Sequence, residues 1–161
     1  MQIERVLLTH DPRIEQWDET LFSTARAIAG PADATVYVLA LFSEDESEEM
    51  RKELDVDSGF GTLSPDDLAA RVDGIQPEID RFEAQNIGLE LRGVSGGEPA
   101  EQILRRIETL NVDLALVSGE ERSPAGKALF GDLAQTILRQ APVPVVYVRQ
   151  GLDEIAGDDA S

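Results

Sequence analysis

Short apolar runs alternate with helical repeats along the chain. The runs are rich in branched and large apolar residues, and they predict five strands over residues 3–9, 34–42, 87–94, 113–118 and 143–149. Between them, apolar residues recur at spacings of three and four, which predicts helices over residues 14–29, 64–85, 98–110 and 129–140. Right-handed crossovers place such alternating strands in one open parallel sheet. The pattern therefore predicts a single α/β domain over residues 1–150, with a five-stranded parallel sheet and helices on both of its faces.

Glycine, proline and serine mark the predicted ends of two helices. Gly30 and Pro31 follow the first helical repeat, and this order of residues commonly ends a helix. Ser64 is placed to cap the next helix, with Pro65 at the first helical position. That helix is predicted to continue to residue 85, with a kink at Pro77.

A polar, strongly acidic insert separates the second strand from this helix. Residues 43–67 hold few apolar side chains and a glycine on either side of Phe60. We interpret the insert as a mobile loop with one helical turn near residues 48–54, either a solvated lid or, as the favoured alternative, a disordered linker. The acidic tail over residues 151–161 has no periodicity and is expected to be frayed.

The net charge excludes whole classes of partner. The 161 residues include 32 acidic and 14 basic side chains, which gives a formal charge of −18. Nucleic acids and anionic membrane surfaces are bound by clustered Lys and Arg, so neither is expected as a partner.

The composition also bears on compartment and metal binding. No apolar run approaches the roughly 20 residues that span a bilayer, and the first residues lack the basic opening and cleavage site of a secretory signal. The absence of cysteine removes disulfides and thiolate chemistry, and a single histidine is too few for a histidine-rich metal site. We expect a cytoplasmic protein without a metal ion.

The basic residues are almost all arginine, because Lys52 and Lys127 are the only lysines. Many carboxylates with little lysine resemble the composition of proteins from salt-loving archaea. Self-repulsion at this charge is strong in dilute buffer, whereas molar salt shortens the Debye length to about 3 Å. We expect stability to fall as KCl is removed; the alternative is an acidic protein of an ordinary cytosol.

The candidate site lies where the parallel strands end. Ligands of open parallel sheets bind beyond the carboxyl ends of the strands, so the loops after Thr9, Phe42, Val94 and Ser118 are the candidates. Asp11 comes directly after the first strand and could accept hydrogen bonds from an adenine amino group or a ribose hydroxyl. It could equally serve as a turn residue before Pro12.

A second glycine-containing segment follows the third strand. Residues 95–97 read Ser-Gly-Gly, which resembles the start of the phosphate loop of ATP pyrophosphatases. That loop follows the first strand of its fold and ends in Asp-Ser, whereas Glu98 and Pro99 follow here. The favoured interpretation is a glycine turn, after which Glu98 and Pro99 open a helix.

Several segments together resemble the universal stress protein (UspA-like) family. They are VLLTHD near the start, GEPAEQIL, VDLALVSG, and the proline-flanked ending APVPVVYVR, and the resemblance runs from Arg5 to Arg149. It implies a Rossmann-like nucleotide-binding α/β fold. It also implies a homodimer through the last strand, residues 143–149, because this strand would lie at a sheet edge and apolar edges need a cover.

The resemblance implies a degenerate phosphate loop. ATP-binding members carry G-x2-G-x9-G-[ST] after the fourth strand, and aligning the last glycine on Gly131 places Ser118 and Glu121 at the first two glycines and Asp132 at the hydroxyl position. A unit-charge pair at 4 Å costs about 1 kcal/mol in water and about 4 kcal/mol at an effective dielectric constant of 20, so two carboxylates there would repel a triphosphate. A frame that starts at Gly119 leaves the loop one residue short. Three cations could compensate: Arg13, Arg122 and Lys127.

The positions expected to meet adenosine match the family better than the phosphate loop does. By the same resemblance Asp11 meets adenosine and Leu41 packs the adenine, although Leu41 could simply be a core residue. AMP, ATP or adenosine are the ligands to consider, none of them a required cofactor. No catalytic residues are identified. The leading hypothesis is a non-catalytic stress-response module with a degenerate ATP loop, and the alternative is a regulatory switch that binds ATP or AMP at the same strand ends.

Overall fold

The structure is a computed structural model that describes residues 1–10, 19–58, 64–72, 74–119 and 132–149. The strands in this part of the chain are β1 (Arg5–His10), β2 (Thr35–Phe42), β3 (Gly88–Ser95), β4 (Leu114–Gly119) and β5 (Val145–Arg149). The helices are α1 (Glu19–Ala32), α2 (Glu44–Ser58), α3 (Pro65–Ala69), α4 (Ile75–Ala84), α5 (Pro99–Thr109) and α6 (Asp132–Gln140). Each predicted strand therefore exists to within two residues at either end.

The five strands form one parallel sheet in the order β3-β2-β1-β4-β5. This arrangement confirms the predicted α/β fold. It also confirms that the last strand lies at an edge of the sheet. Strands β2 and β3 extend the sheet on one side of β1, and strands β4 and β5 extend it on the other side. The topological switch point therefore lies between β1 and β4.

Apolar side chains cover both faces of the sheet. Alternate residues of β1 point to opposite faces: Leu8 packs with Phe22 of α1 and Phe82 of α4, whereas Leu7 packs with residues of α5 and α6. The rings of Phe22 and Phe82 meet edge to face at 6.3 Å between centroids. The prediction of helices on both faces is confirmed.

Three helices end on a polar residue in the left-handed conformation. Asp33, Asn86 and Asn111 have φ values of 54°, 59° and 54°. After the first of them, the Ala34 amide donates to the Ala29 carbonyl at 2.9 Å, which completes a Schellman turn. The predicted stop of α1 at Gly30 and Pro31 is therefore wrong: the helix includes both residues and ends at Ala32.

The predicted helix over residues 64–85 is two helices. Ser64 does cap α3: its hydroxyl accepts from the Asp67 amide, and the Asp67 carboxylate accepts from the Ser64 amide. The two helices are separated before Gly74, the N-cap residue of α4, and not at Pro77. Gly74 has a φ of 86°, a left-handed conformation that glycine adopts without strain and that cannot continue a right-handed helix. Pro77 lies in the first turn of α4, where a missing amide costs no helical hydrogen bond.

The helical turn predicted near residues 48–54 exists as part of α2, but the rest of the predicted loop over residues 43–67 is wrong in extent, because α2 and α3 occupy much of it. The Ser43 hydroxyl accepts from the Glu46 amide at 3.0 Å, and the Glu46 carboxylate accepts from the Ser43 amide at 3.2 Å. This capping box starts α2 in spite of its polar composition. Residues 59–63 and the tail over 151–161 lie outside the described part of the chain.

Helix α3 closes the outer edge of β3. The Gly93 amide donates to the Asp66 carboxylate at 2.7 Å, and a β-carbon on Gly93 would lie only 1.9 Å from the Pro65 carbonyl oxygen. The two backbones are thus in direct contact. The Gly93 amide is therefore not available for pairing with another chain at this edge of the sheet.

Candidate functional site

The carboxyl ends of β1 and β4 lie side by side at the point where the strand order switches. Thr9 is the register partner of Val117, and β2 borders β1 on its other side. The sheet therefore brings the predicted strand ends after Thr9, Phe42 and Ser118 to one edge, with β3 next to β2. This edge is where α/β sheets of this kind bind their ligands.

Two hydroxyls lie buried at the switch point. Thr9 is 2% exposed and donates to the Leu116 carbonyl at 3.4 Å. Ser118 is 4% exposed, and its hydroxyl has no hydrogen-bond partner within the described residues. An unsatisfied buried hydroxyl costs about 1–3 kcal/mol. Ser118, which the family resemblance aligns with the first position of the phosphate loop, thus ends β4 without a hydrogen-bond partner among the described residues.

Leu41 is a core residue in its described contacts. It is 4% exposed, pairs with Val94 in the register of β2 and β3, and belongs to the apolar cluster beneath α5 and α6. Its predicted contact with an adenine ring remains a prediction.

Most of the predicted ligand-binding side chains lie outside the residues that the structure describes. These are Asp11, Arg13, Glu121, Arg122, Lys127 and Gly131. Asp132 is described in its backbone only, as the first residue of α6. Their roles therefore stay predictions from the sequence.

The Ser-Gly-Gly segment is a turn that leads into α5, as the favoured interpretation predicted. Gly96 and Gly97 have φ values of 77° and 76°, a conformation that glycine adopts without strain. The Gly96 amide donates to the Phe42 carbonyl at 2.8 Å, which ties the turn to the end of β2. Glu98 is the N-cap residue of α5, and Pro99 is its first helical residue.

One contact at this edge was missed by the sequence analysis. The hydroxyl oxygens of Ser47 and Ser95 are 2.6 Å apart, and Ser47 is fully buried. The pair joins α2 to the end of β3 across 48 residues of sequence. No local pattern indicates such a pair, although the Ser43–Glu46 capping box does indicate the helix that carries Ser47.

At the opposite end of the sheet, where the strands begin, the side chains of Asp113 and Arg5 are engaged by the chain itself. A groove of about 520 Å³ lies there, but Asp113 accepts from the amides of Glu4 and Arg5 at 2.8 and 3.0 Å. The Arg5 guanidinium donates to the Leu110 carbonyl at 3.0 Å. The unsatisfied Ser118 hydroxyl makes the carboxyl edge the stronger candidate site.

The described residues contain neither a cluster of metal-binding side chains nor a membrane-spanning helix. Within the ranges described, no three His, Cys, Asp or Glu side chains lie close enough together to hold a metal ion. None of the helices described is both long enough and apolar enough to cross a membrane.

The strand order defines a doubly wound α/β protein, whose candidate ligand site lies at the carboxyl ends of the strands. The chain belongs to the universal stress protein family, whose profile matches residues 3–149. This match confirms the resemblance inferred from the sequence segments.

Individual relatives are distant. A universal stress protein of Mycolicibacterium smegmatis (strain ATCC 700084 / mc(2)155) is 28% identical over 68 residues, 42% of this chain and 52% of that protein. The matched segment thus spans about half the length of this relative.

Solved universal stress proteins share the fold. One from Archaeoglobus fulgidus has 19% identity and a TM-score of 0.63, with 89% of this chain and 97% of that chain covered. A structure of the A. fulgidus protein in complex with dAMP has 16% identity and a TM-score of 0.58, with 91% and 98% covered. A family protein of Arabidopsis thaliana with AMP bound has 14% identity and a TM-score of 0.59, with 98% and 99% covered.

Proposed function

We propose that this chain is a non-catalytic stress-response module that binds an adenosine monophosphate, in preference to ATP, at the carboxyl ends of β1 and β4. The observation that carries the proposal is the set of side chains at the phosphate-loop positions. When Gly131 is aligned with the last glycine of the family loop, Ser118, Glu121 and Asp132 correspond to two glycines and a hydroxyl residue of ATP-binding members.

Charge is the reason for the preference. ATP carries two phosphoryl groups more than AMP, and each further negative charge near a carboxylate at 4 Å costs about 1 kcal/mol in water. A difference of 1.4 kcal/mol is tenfold in affinity. Carboxylates at positions 121 and 132 therefore lower the affinity for the longer phosphate chain of ATP. They leave the contacts with adenosine unaffected.

Two further facts support a monophosphate ligand. The buried Ser118 hydroxyl lacks a partner among the residues described, at the strand end where the phosphate loop begins. Universal stress proteins of this fold are known in complexes with AMP and with dAMP.

Calorimetric titration of AMP, ATP and adenosine in molar KCl tests the proposal. We expect AMP to bind at least about tenfold more tightly than ATP, and Asp11→Ala to weaken both ligands. The triple variant Ser118→Gly, Glu121→Gly, Asp132→Ser is expected to gain affinity for ATP. The double variant Glu83→Gln, Glu108→Gln removes two exposed charges near the amino ends of the strands and controls for the change in net charge.

Three results would overturn the proposal. ATP binding as tightly as AMP would contradict the preference, and a triple variant without a gain would contradict the assignment of the loop. Sustained phosphate release from ATP that disappears in Asp11→Ala would contradict the non-catalytic role.

A homodimer through β5 is the second part of the proposal. The two edge strands, β3 and β5, differ. The Gly93 amide of β3 donates to the Asp66 carboxylate, whereas β5 is apolar, with Val146 and Tyr147 only half-buried. An apolar edge strand invites pairing with another copy of the same strand. Light scattering in molar KCl should give twice the chain mass of 17.5 kDa, and a monomer would refute this part.

The site of action is proposed to be a cytoplasm rich in salt. The absence of cysteine suits a reducing compartment, and the charge of −18 with two lysines suits concentrated salt. Full stability in salt-free buffer would contradict the adaptation to salt.

A further inference from the structure

Helix α2 carries an unusual excess of negative charge. Its 15 residues, Glu44–Ser58, include eight acidic and two basic side chains, a difference of −6. Its last turn holds no basic residue, although positive charge there would interact favourably with the helix dipole. The three acidic residues of its first turn, Glu44, Asp45 and Glu46, do interact favourably with the dipole, so the electrostatic cost of α2 comes from repulsion between carboxylates along the helix.

Like charges in α2 stand one helical turn apart. Three such pairs lie four residues apart within the part whose side chains are described: Glu44 with Glu48, Asp45 with Glu49, and Glu49 with Glu53. Each pair of this kind weakens a helix by a factor of about 1.4 to 2.3. Salt weakens this repulsion, because the Debye length falls from about 10 Å at 0.1 M to about 3 Å at 1 M.

Among the described side chains of α2, residues 44–53, Met50 is the one apolar residue. It is half-buried against the apolar cluster, and Ser43 caps the first turn. Ser47 is the one buried side chain in this range, and its hydroxyl lies 2.6 Å from that of Ser95. A helical segment with one apolar contact in its first ten residues belongs to the parts of a fold that open readily.

The docked helix covers apolar surface at the carboxyl ends of the strands. Met50 packs on the cluster formed by Ala40, Phe42, Leu68 and Ala69. Phe42 is the last residue of β2, and its carbonyl holds the Gly96 turn. Opening of α2 would expose this cluster directly beside the candidate ligand site.

We propose that α2 is a cover whose docking depends on ionic strength. In concentrated salt the repulsion within α2 is screened, and the helix lies on the apolar cluster. On dilution the repulsion grows, α2 undocks and unfolds locally, and the cluster becomes exposed while the sheet stays folded. This device reports a fall in salt concentration, and it does not depend on nucleotide binding.

Hydrogen exchange measured by mass spectrometry at 0.1 M and 2 M KCl tests the proposal in the full chain. After correction for intrinsic rates, protection of residues 44–58 should rise about two- to fivefold with salt relative to α4, as expected when three repulsive pairs and the attractive pair of Glu48 with Lys52 are all screened. The double variant Glu49→Gln, Glu53→Gln should lose most of this dependence. Glu101→Gln, Glu108→Gln in α5 removes the same charge elsewhere and should retain it.

A second variant separates docking from folding. Ser47→Ala removes the hydrogen bond to Ser95 and should lower the protection of α2 at both salt concentrations while leaving α4 unchanged. The proposal is overturned if α2 and α4 respond equally to salt, if the Glu49→Gln, Glu53→Gln variant responds as the wild type does, or if Ser47→Ala leaves α2 unchanged.

Discussion

Because α3 and β3 are in direct backbone contact at Gly93, we expect Gly93→Ala to destabilise the fold strongly. The added β-carbon would lie 1.9 Å from the Pro65 carbonyl oxygen and 2.4 Å from the carbonyl carbon. Ordinary separations between non-bonded heavy atoms are about 3.5–4.0 Å, so α3 must move outward by roughly 1.5 Å. That movement also stretches the 2.7 Å hydrogen bond from the Gly93 amide to the Asp66 carboxylate.

Two costs contribute to the expected loss of stability. Overpacking costs about 1–3 kcal/mol, and loss of a hydrogen bond to a charged group costs about 1.5–3 kcal/mol. We therefore expect Gly93→Ala to lower the free energy of unfolding by about 2.5–6 kcal/mol. For a domain of this size that corresponds to a fall in Tm of roughly 5–24 °C.

Thermal unfolding followed by circular dichroism in molar KCl measures the effect. Gly88→Ala is the matched control on the same strand, because its β-carbon would meet mainly the Thr35 side chain, with the hydroxyl at 3.1 Å, and that side chain can yield. The control is expected to change stability by less than about 1 kcal/mol. If Gly93→Ala is as stable as Gly88→Ala, α3 does not pack on β3 as described.

Two further substitutions test charged groups of the fold. Glu78→Gln should lower stability by about 3 kcal/mol in the same assay, because Glu78 is 4% exposed and accepts from the largely buried Arg26 at 3.0 Å; an effect no larger than that of the exposed Glu83→Gln would contradict this. Hydrogen bonds from the Ser64 backbone amide and then its hydroxyl lower the pKa of Asp67 from 3.8. The ionised carboxylate therefore stabilises the fold above that value, and the advantage of wild type over Asp67→Asn should vanish as the pH falls through the lowered pKa; an advantage that persists at the lowest pH would refute this.

The strands could be predicted because they are buried on both faces. A parallel strand covered by helices is a nearly continuous apolar run, and β2 was predicted to within one residue on that basis. The same criterion fails for α2, whose sequence has no apolar period, since its stability depends on a capping box and a few docking contacts. The break at Gly74 was missed for the converse reason: apolar residues on either side of it keep a helical spacing.

The candidate site could be predicted in position but not in detail. Strand ends follow from the order of elements, so Thr9 and Ser118 were expected at one edge of the sheet. Burial of the Ser118 hydroxyl without a described partner depends on the packing of several elements around it. The pairing of Ser47 with Ser95 is likewise a contact between distant segments, to which neither local sequence points.

The proposed ligand preference and the proposed cover both depend on negative charge near the carboxyl ends of the strands. Negative charge there determines whether added salt raises or lowers the affinity for AMP. Where Arg or Lys holds a phosphate, added salt screens the attraction and lowers affinity. Carboxylates at positions 121 and 132 give the opposite sign, because screening removes repulsion. AMP titrated at two KCl concentrations therefore tells which groups face the phosphate. Affinity that rises with salt indicates Glu121 and Asp132, whereas affinity that falls indicates that Arg122 and Lys127 have compensated for them.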